Sequence, residues 1–253
     1  MSNSIPTIEA IVLRYTDYGE SDRIVQLLTQ DHGLVSAMVK GARSSTKKYS
    51  GLVDLGNLIL VTFSSTKNDL WVIKSAQATR SMLRTRNNLH KLAFLSYACE
   101  LIFIASQAGN PEPKLYGLLT QLLKILEEDD GALGARFRIA FELKVLSFSG
   151  YMPQLSTCPA CGAPIHDPAA IFFTETSVFH RSCLPSMDNP EKSLAPCTKV
   201  WLQASSTALR TPMLESLSIP MPDGPQWAFS KMFTILFQKT VLSRSFLQSI
   251  ESA

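Results

Sequence analysis

Residues 8–77 hold five short runs rich in β-branched and aromatic side chains, and turn residues break them apart, so a chain of five short strands has few ways to fold. The runs are IEAIVLRYTD from Ile8, DRIVQLLTQ from Asp22, GLVSAMVKGA from Gly33, LGNLILVTFSS from Leu55 and LWVIKSAQA from Leu70. Asp17-Tyr18-Gly19-Glu20 and Gln30-Asp31-His32-Gly33 offer turns of hairpin length, whereas Gly41 to Gly51 is a longer polar connection rich in Ser and Lys. A small sheet exposes its edges unless it closes, which predicts a barrel. The OB fold is the common five-stranded barrel with an oligonucleotide-binding face, and an SH3-like barrel is its nearest competitor.

From about Asn88 the hydrophobic period becomes helical. Leu89, Leu92, Leu95 and Cys99, with Ala93, Tyr97 and Leu101 between them, predict a helix apolar almost all round, hence central and buried, with Cys99 as a small core residue. Lys114 to Glu128 is amphipathic and runs into the acidic stretch Glu127–Asp130, which reads as a solvated helix end. Further helices are expected from Leu133 to Phe148, stopped by Gly150 and Pro153, and at Lys199–Leu209 and Trp227–Ile250. The expected class is α+β: a five-stranded OB barrel over residues 1–80, then an all-α domain over 81–253 with a metal motif inserted at 158–183.

That motif is Cys158-Pro-Ala-Cys161-Gly followed by His180-Arg-Ser-Cys183, a C-x2-C-x18-H-x2-C spacing. Two x2-spaced pairs, each on a tight turn, deliver two ligands apiece to one tetrahedral ion, and Gly162 supplies the permissive backbone such a turn needs. Cys158, Cys161, His180 and Cys183 are therefore expected to hold a structural Zn2+, since four protein ligands leave no open position for a catalytic water. Cys197 is the alternative to His180 as fourth ligand, and His166 is a poor reserve. His32 and His90 lack partners at ligand spacing and read as surface or capping groups. A thioredoxin-like CxxC would sit beside a βαβ pattern, which is missing here.

The net charge of +3 conceals an asymmetry. His32 to Val53 carries Lys40, Arg43, Lys47 and Lys48 with no acid, and Trp71 to Cys99 carries Lys74, Arg80, Arg84, Arg86 and Lys91 with none. Nine of the 24 cations thus fall in two acid-free stretches, leaving 15 against 21 acids elsewhere. These nine are the expected phosphate contacts, with Tyr15, Tyr18 and Tyr49 as candidates for base stacking and Arg14 and Arg23 beside acids that can neutralise them. Arg136 and Arg138 are a weaker possibility as receptors for an acidic peptide tail.

Several classes fall away. The longest apolar stretch, Leu92 to Ala105, is shorter than a membrane span and contains Glu100, and the N-terminus has neither a basic nor an apolar signal region, so a cytoplasmic chain is expected. Five cysteines in such a compartment do not make a disulfide scaffold. No P-loop, nucleophile elbow or HExxH occurs, and no carboxylate cluster resembles a hydrolytic site, so a non-enzymatic binder is expected. The alternative is an OB-fold RNA-binding or translation-associated zinc protein.

The chain also resembles the RecO family of recombination mediators. The resemblance rests on Ile8 to Val25 (IEAIVLRYTDYGESDRIV), His32-Gly-Leu-Val, Val39-Lys-Gly-Ala-Arg43, then Phe141 to Leu155 (FELKVLSFSGYMPQL) leading into Cys158-Pro-Ala-Cys161-Gly, and Arg244-Ser-Phe-Leu-Gln-Ser-Ile. It implies an N-terminal OB fold, a helical body and an inserted zinc motif, usually with four cysteines where this chain has His180 in place of the third. It further implies binding of single- and double-stranded DNA, annealing of complementary strands, contact with the C-terminal tail of the single-stranded-DNA-binding protein, and partnership with RecR to load RecA. No membrane and no small-molecule substrate enters that role, which is set in the bacterial cytoplasm at the nucleoid.

Overall fold

A computed structural model describes residues 7–43, 49, 51–67, 70–131, 133–172, 176–184, 194–217 and 219–251. The chain divides into two compact units, one of residues up to Asp129 together with those from Ser245 onward, the other running from Asp130 to Arg244.

In the first unit the expected strands are β1 (Ile8–Tyr18), β2 (Asp22–Thr29), β3 (Gly33–Val39), β4 (Leu58–Lys67) and β5 (Leu70–Arg80). They close into a barrel in the order β1-β2-β3-β5-β4, with β1 returning to β4 and β3 lying parallel to β5 at Ala37↔Trp71. This is the OB arrangement. Strand β3 is the clearest case of sequence making structure: Gly33, Val35, Ala37 and Val39 are buried, the last two in the barrel core, and the residues between them are half-exposed. Val12, Val25, Leu27, Ile59, Val61, Phe63 and Ile73 complete the interior. Each such side chain contributes about 1.5–3 kcal/mol on burial. The β2–β3 turn needs a left-handed residue, and Gly33 supplies it at φ +63°.

Three helices follow in the same unit, α1 (Leu83–Arg86), α2 (Leu89–Ala105) and α3 (Pro113–Glu128). Asn88 caps α2, its side chain accepting the Lys91 N–H at 3.1 Å, and α2 is buried on nearly every face, Cys99 included. Burial pushes the Cys99 thiol up to about 12, as an inert core residue requires.

The second unit contains α4 (Ala135–Phe148), α5 (Lys199–Arg210) and α6 (Ala228–Leu236). It also contains a three-stranded sheet absent from the sequence expectation, with β6 (Ala169–Phe172) between β7 (Ser177–His180) and β8 (Leu194–Cys197). Four-residue strands are too short to display a period. The single helix expected over Trp227–Ile250 is interrupted: α6 stops at Leu236 and α7 spans Ser243–Glu251. Gln238 adopts φ +52°, a left-handed conformation that ends the helical hydrogen-bond ladder. Among the described residues no helix is long and apolar enough to cross a membrane.

Candidate metal centre and candidate nucleic-acid interface

The first ligand pair sits on a short hairpin. Ile165 donates its N–H to Ser156 O and Cys158 to Ala163 O, both at 2.9 Å, while Gly162 at φ +71° returns its own N–H to Cys158 O. The second pair is built by the small sheet. His180 ends β7 opposite Ala169, and the chain then tightens into a 3-10 turn, Arg181–Cys183, that swings Cys183 back beside it.

The side-chain atoms of Cys158, Cys161, His180 and Cys183 all lie within 4.8 Å of one another. A tetrahedral zinc with Zn–S bonds of about 2.3 Å sets its ligand atoms roughly 3.7 Å apart. His180 Nδ1 stands 3.4 Å from Cys161 Sγ and 3.9 Å from Cys183 Sγ, which brackets that spacing. On the far edge of the ring, Nε2 is 3.1 Å from Pro164 O. A carbonyl can only accept, so Nε2 carries the hydrogen and Nδ1 keeps its lone pair toward the thiols, as a metal-bound imidazole requires.

Desolvation opposes ionisation of the buried Cys158, yet backbone N–H groups of His180, Cys161 and Ala160 and the Cys161 thiol outweigh it and bring Cys158 down to about 7. Cys183 is pushed up instead, by desolvation and by its hydrogen bond with the Cys161 thiol. One thiolate makes the next costlier, a conflict that a bound dication resolves. The donor set and its geometry fit a metal ion such as zinc. Cys197 is outside this cluster; it lies on β8 with its thiol raised to about 12, by desolvation and by the charge of Asp167. His166 is no ligand either, but its ring is stacked on that of His180 with centroids 3.9 Å apart.

The nine cations separate into groups. Lys47 and Lys48 lie outside the described residues. Lys40 follows β3 two residues past Met38, and Lys74 lies two residues past Val72, the partner of Met38 on β5; both are exposed. Arg43 is exposed nearby in sequence, but its Nε is 3.4 Å from Asp17 Oδ2 and its guanidinium donates to Gly19 O. Arg80, roughly 20 Å along β5 from Lys74 by strand geometry, stands 3.5 Å from Glu128. Arg84 is exposed in α1. Arg86 turns inward, donating to Asn57 Oδ1 at 2.8 Å and to Leu55 O. Lys91, expected among the phosphate contacts, is instead buried, with its ammonium on the carbonyls of Leu126 and Asp129 at the end of α3.

Two further expectations change. Tyr49 is buried with its hydroxyl on Lys74 O, so it anchors a loop and offers no stacking face, whereas Tyr15 and Tyr18 are exposed. Arg23 lies over the Tyr15 ring and bonds Asp17 at 2.9 Å, and Arg14 lies over Phe103. Arg136 and Arg138 are both buried, and Arg138 is held by Glu142 at 3.2 Å, Gln226 O and the Trp227 ring. The sequence reading missed the role of Glu127, whose carboxylate accepts the backbone N–H groups of Arg84 and Thr85 and so caps α1. Nothing local signals it, because the two partners are more than forty residues apart in the chain.

Two family models match the chain, one described as Recombination protein O N terminal over residues 1–82 and one described as Recombination protein O C terminal over residues 86–213. The chain is 31% identical over 176 residues to the DNA repair protein RecO of Pelobacter propionicus, spanning 70% of this chain and 71% of that one. It is 29% identical over 245 residues to the DNA repair protein RecO of Anaeromyxobacter sp. strain K, 96% of both chains. To the protein of the same name from Desulforudis audaxviator it is 32% identical over 225 residues, 87% of this chain and 86% of that one.

Proposed function

The chain belongs to the recombination protein O (RecO) family, and on that premise we propose that it is a DNA repair and recombination mediator that binds single- and double-stranded DNA and anneals complementary strands. RecR acts beside it, the C-terminal tail of the single-stranded-DNA-binding protein is a contact, and RecA loading is the outcome, in the bacterial cytoplasm. Annealing makes and breaks no covalent bond. A surface that neutralises two backbones lowers their repulsion and leaves base edges free to pair. The mediator is accordingly not an enzyme.

The observation that carries this reading is the closed five-stranded OB barrel, with Lys40 and Lys74 exposed and each two residues past the last pair of its parallel β3–β5 ladder, a fold whose sheet face and loops take oligonucleotides. Arg43, Lys47 and Lys48 follow Lys40 in the sequence, the last two outside the described residues. Arg80 and Arg84 form a second, smaller group. Lys91 is left out of the set and Arg86 counts little in it, because their charged ends are already satisfied inside the protein.

Cys158, Cys161, His180 and Cys183 would hold a structural Zn2+. When bound, the ion supplies a crosslink between the 156–165 hairpin and the end of β7. This chain's residues orient it, with Pro164 O fixing the His180 ring and backbone N–H groups favouring the Cys158 thiolate.

The test is strand annealing of complementary oligonucleotides, bare and coated with the cognate single-stranded-DNA-binding protein, using wild type and a variant with Lys40, Arg43, Lys47 and Lys48 all changed to Ala. Annealing by the wild type, with weaker DNA binding and a flatter salt dependence in the variant, is the expected result. Unchanged binding at low salt removes this surface from the mechanism, and a marked preference for RNA over DNA of equal length overturns the assignment to recombination.

A further inference from the structure

A cleft of about 420 Å³ opens beside the β2–β3 turn, lined by Asp31, His32, Ser36, Trp71 and Gly109 among others. From its chemistry we infer that it holds one unpaired nucleobase of single-stranded DNA, stacked on Trp71 and recognised through an exocyclic amine; this deepens the DNA-binding reading above and rests on it.

The cleft is preformed. Trp71 is the second residue of β5 and is braced edge-on by the core ring of Phe63, with centroids 4.6 Å apart and planes at 77°. The His32 ring stands 5.5 Å from Trp71 at 59°, so two aromatic walls meet at an angle. Another wall is fixed by main-chain pairing: Gly109 donates its N–H to Leu34 O at 3.2 Å, and Ala108 bridges Gly33 and Leu34. That wall lies so close that a Cβ on Gly33 would stand 2.0 Å from Asn110 O. A slot with an aromatic floor and a fixed wall suits a flat ring.

Its polar groups decide which ring. Among the described residues no lysine or arginine lines the cleft, so none of them offers a phosphate a partner there. The Asp31 carboxylate is an acceptor only, and Ser36 Oγ already gives its hydrogen to Gln26 Oε1 at 2.9 Å, leaving an oxygen that accepts. Asp31 and Ser36 thus supply acceptors beside the N–H groups of Trp71 and His32, and acceptors at that point suit a ring that donates there, as cytosine, adenine and guanine do through their amines. The phosphates belong outside. Lys74 on β5 and Lys40 past β3 each lie three residues beyond the paired Trp71 and Ala37, roughly 10 Å along the strands, in the path of the flanking backbone.

The experiment compares binding of a mixed-sequence single strand with binding of an abasic strand of equal length, by fluorescence anisotropy. Wild type is expected to prefer the intact strand, and Trp71→Ala to weaken that strand alone by roughly 5- to 150-fold, the range for losing one stacked base. Because Trp71 also touches the barrel core, Ser36→Trp serves as a second variant that fills the cleft and keeps Trp71; it is expected to give the same selective loss. Asp31→Asn is expected to bring the affinities for oligo-dC and oligo-dT closer together. Equal losses on intact and abasic strands, no loss in either variant, or a wild type indifferent to the bases or to dC against dT each overturns the nucleobase site while DNA binding stands. A wild type that binds neither strand overturns the DNA-binding reading itself.

Discussion

The carboxylate of Glu127 grips Thr85 twice, Oε2 accepting its backbone N–H at 3.0 Å and its hydroxyl at 2.9 Å. The other oxygen, Oε1, takes the N–H of Arg84 at 2.8 Å. A short helix whose N-cap, Met82, offers no side-chain bond is thereby capped from a different element. Glu127→Ala is expected to lower the free energy of unfolding by about 1–2 kcal/mol, the usual cost of a lost cap.

The same contact has a pH signature. Desolvation works against the Glu127 carboxylate, but the Arg84 and Thr85 donors outweigh it and hold its pKa below the ordinary value. A folded-state pKa below the unfolded one of about 4.3 gives a contribution that is complete at neutral pH and lost as pH falls through the folded value. Urea denaturation of wild type and Glu127→Gln is therefore expected to differ at pH 7 and to converge as acid protonates Glu127 in the folded protein. A gap that persists in acid would show that the charge is not responsible.

At the metal centre, His180→Ala is expected to reduce zinc affinity by more than the roughly 10- to 100-fold typical of losing a partner beyond the ligands. His180→Cys retains the site, since thiolate and imidazole are both good zinc donors. His166→Ala, which removes only the stacked ring, has the smallest effect. Competition against a chromophoric chelator ranks the three.

The basic residues separate by consequence. For Lys40→Ala with Lys74→Ala, the log–log salt slope for single-stranded DNA is expected to flatten by about 1.4, or 0.7 per phosphate contact. Lys91→Met leaves the slope alone and lowers stability by about 1.5–3 kcal/mol, because two carbonyls lose a charged donor. Titrations at several salt concentrations, paired with denaturation curves, read both effects; a changed slope for Lys91→Met would contradict its burial.

Gly33→Ala is expected to cost more than about 2 kcal/mol, combining left-handed strain with a backbone clash. The added Cβ would meet Asn110 O at 2.0 Å, and neither backbone segment is free to retreat. Equilibrium denaturation checks it, and a neutral substitution would mean the 106–110 segment is not held where the structure has it.

What the sequence determined by itself is whatever depends on neighbours within a few residues. Alternation from Gly33 to Val39 marked β3 and its inward face, Asn88 marked the start of α2, and the x2 spacing of Cys158 with Cys161 and of His180 with Cys183 marked two turns that present ligands together. Tertiary structure alone decided the rest. Lys74 and Lys91 read alike in the sequence, yet one is exposed on a strand and the other is buried against the end of α3. Tyr49 became an anchor, and Trp71 and His32 came to line one cleft. Four-residue strands β6 to β8 show no period, and only their mutual pairing makes them a sheet. The physical reason is common to all of these. Whether a charge or a ring meets water, a carbonyl or another ring is set by strand register and by contacts between residues tens of positions apart, and no local pattern encodes that distance.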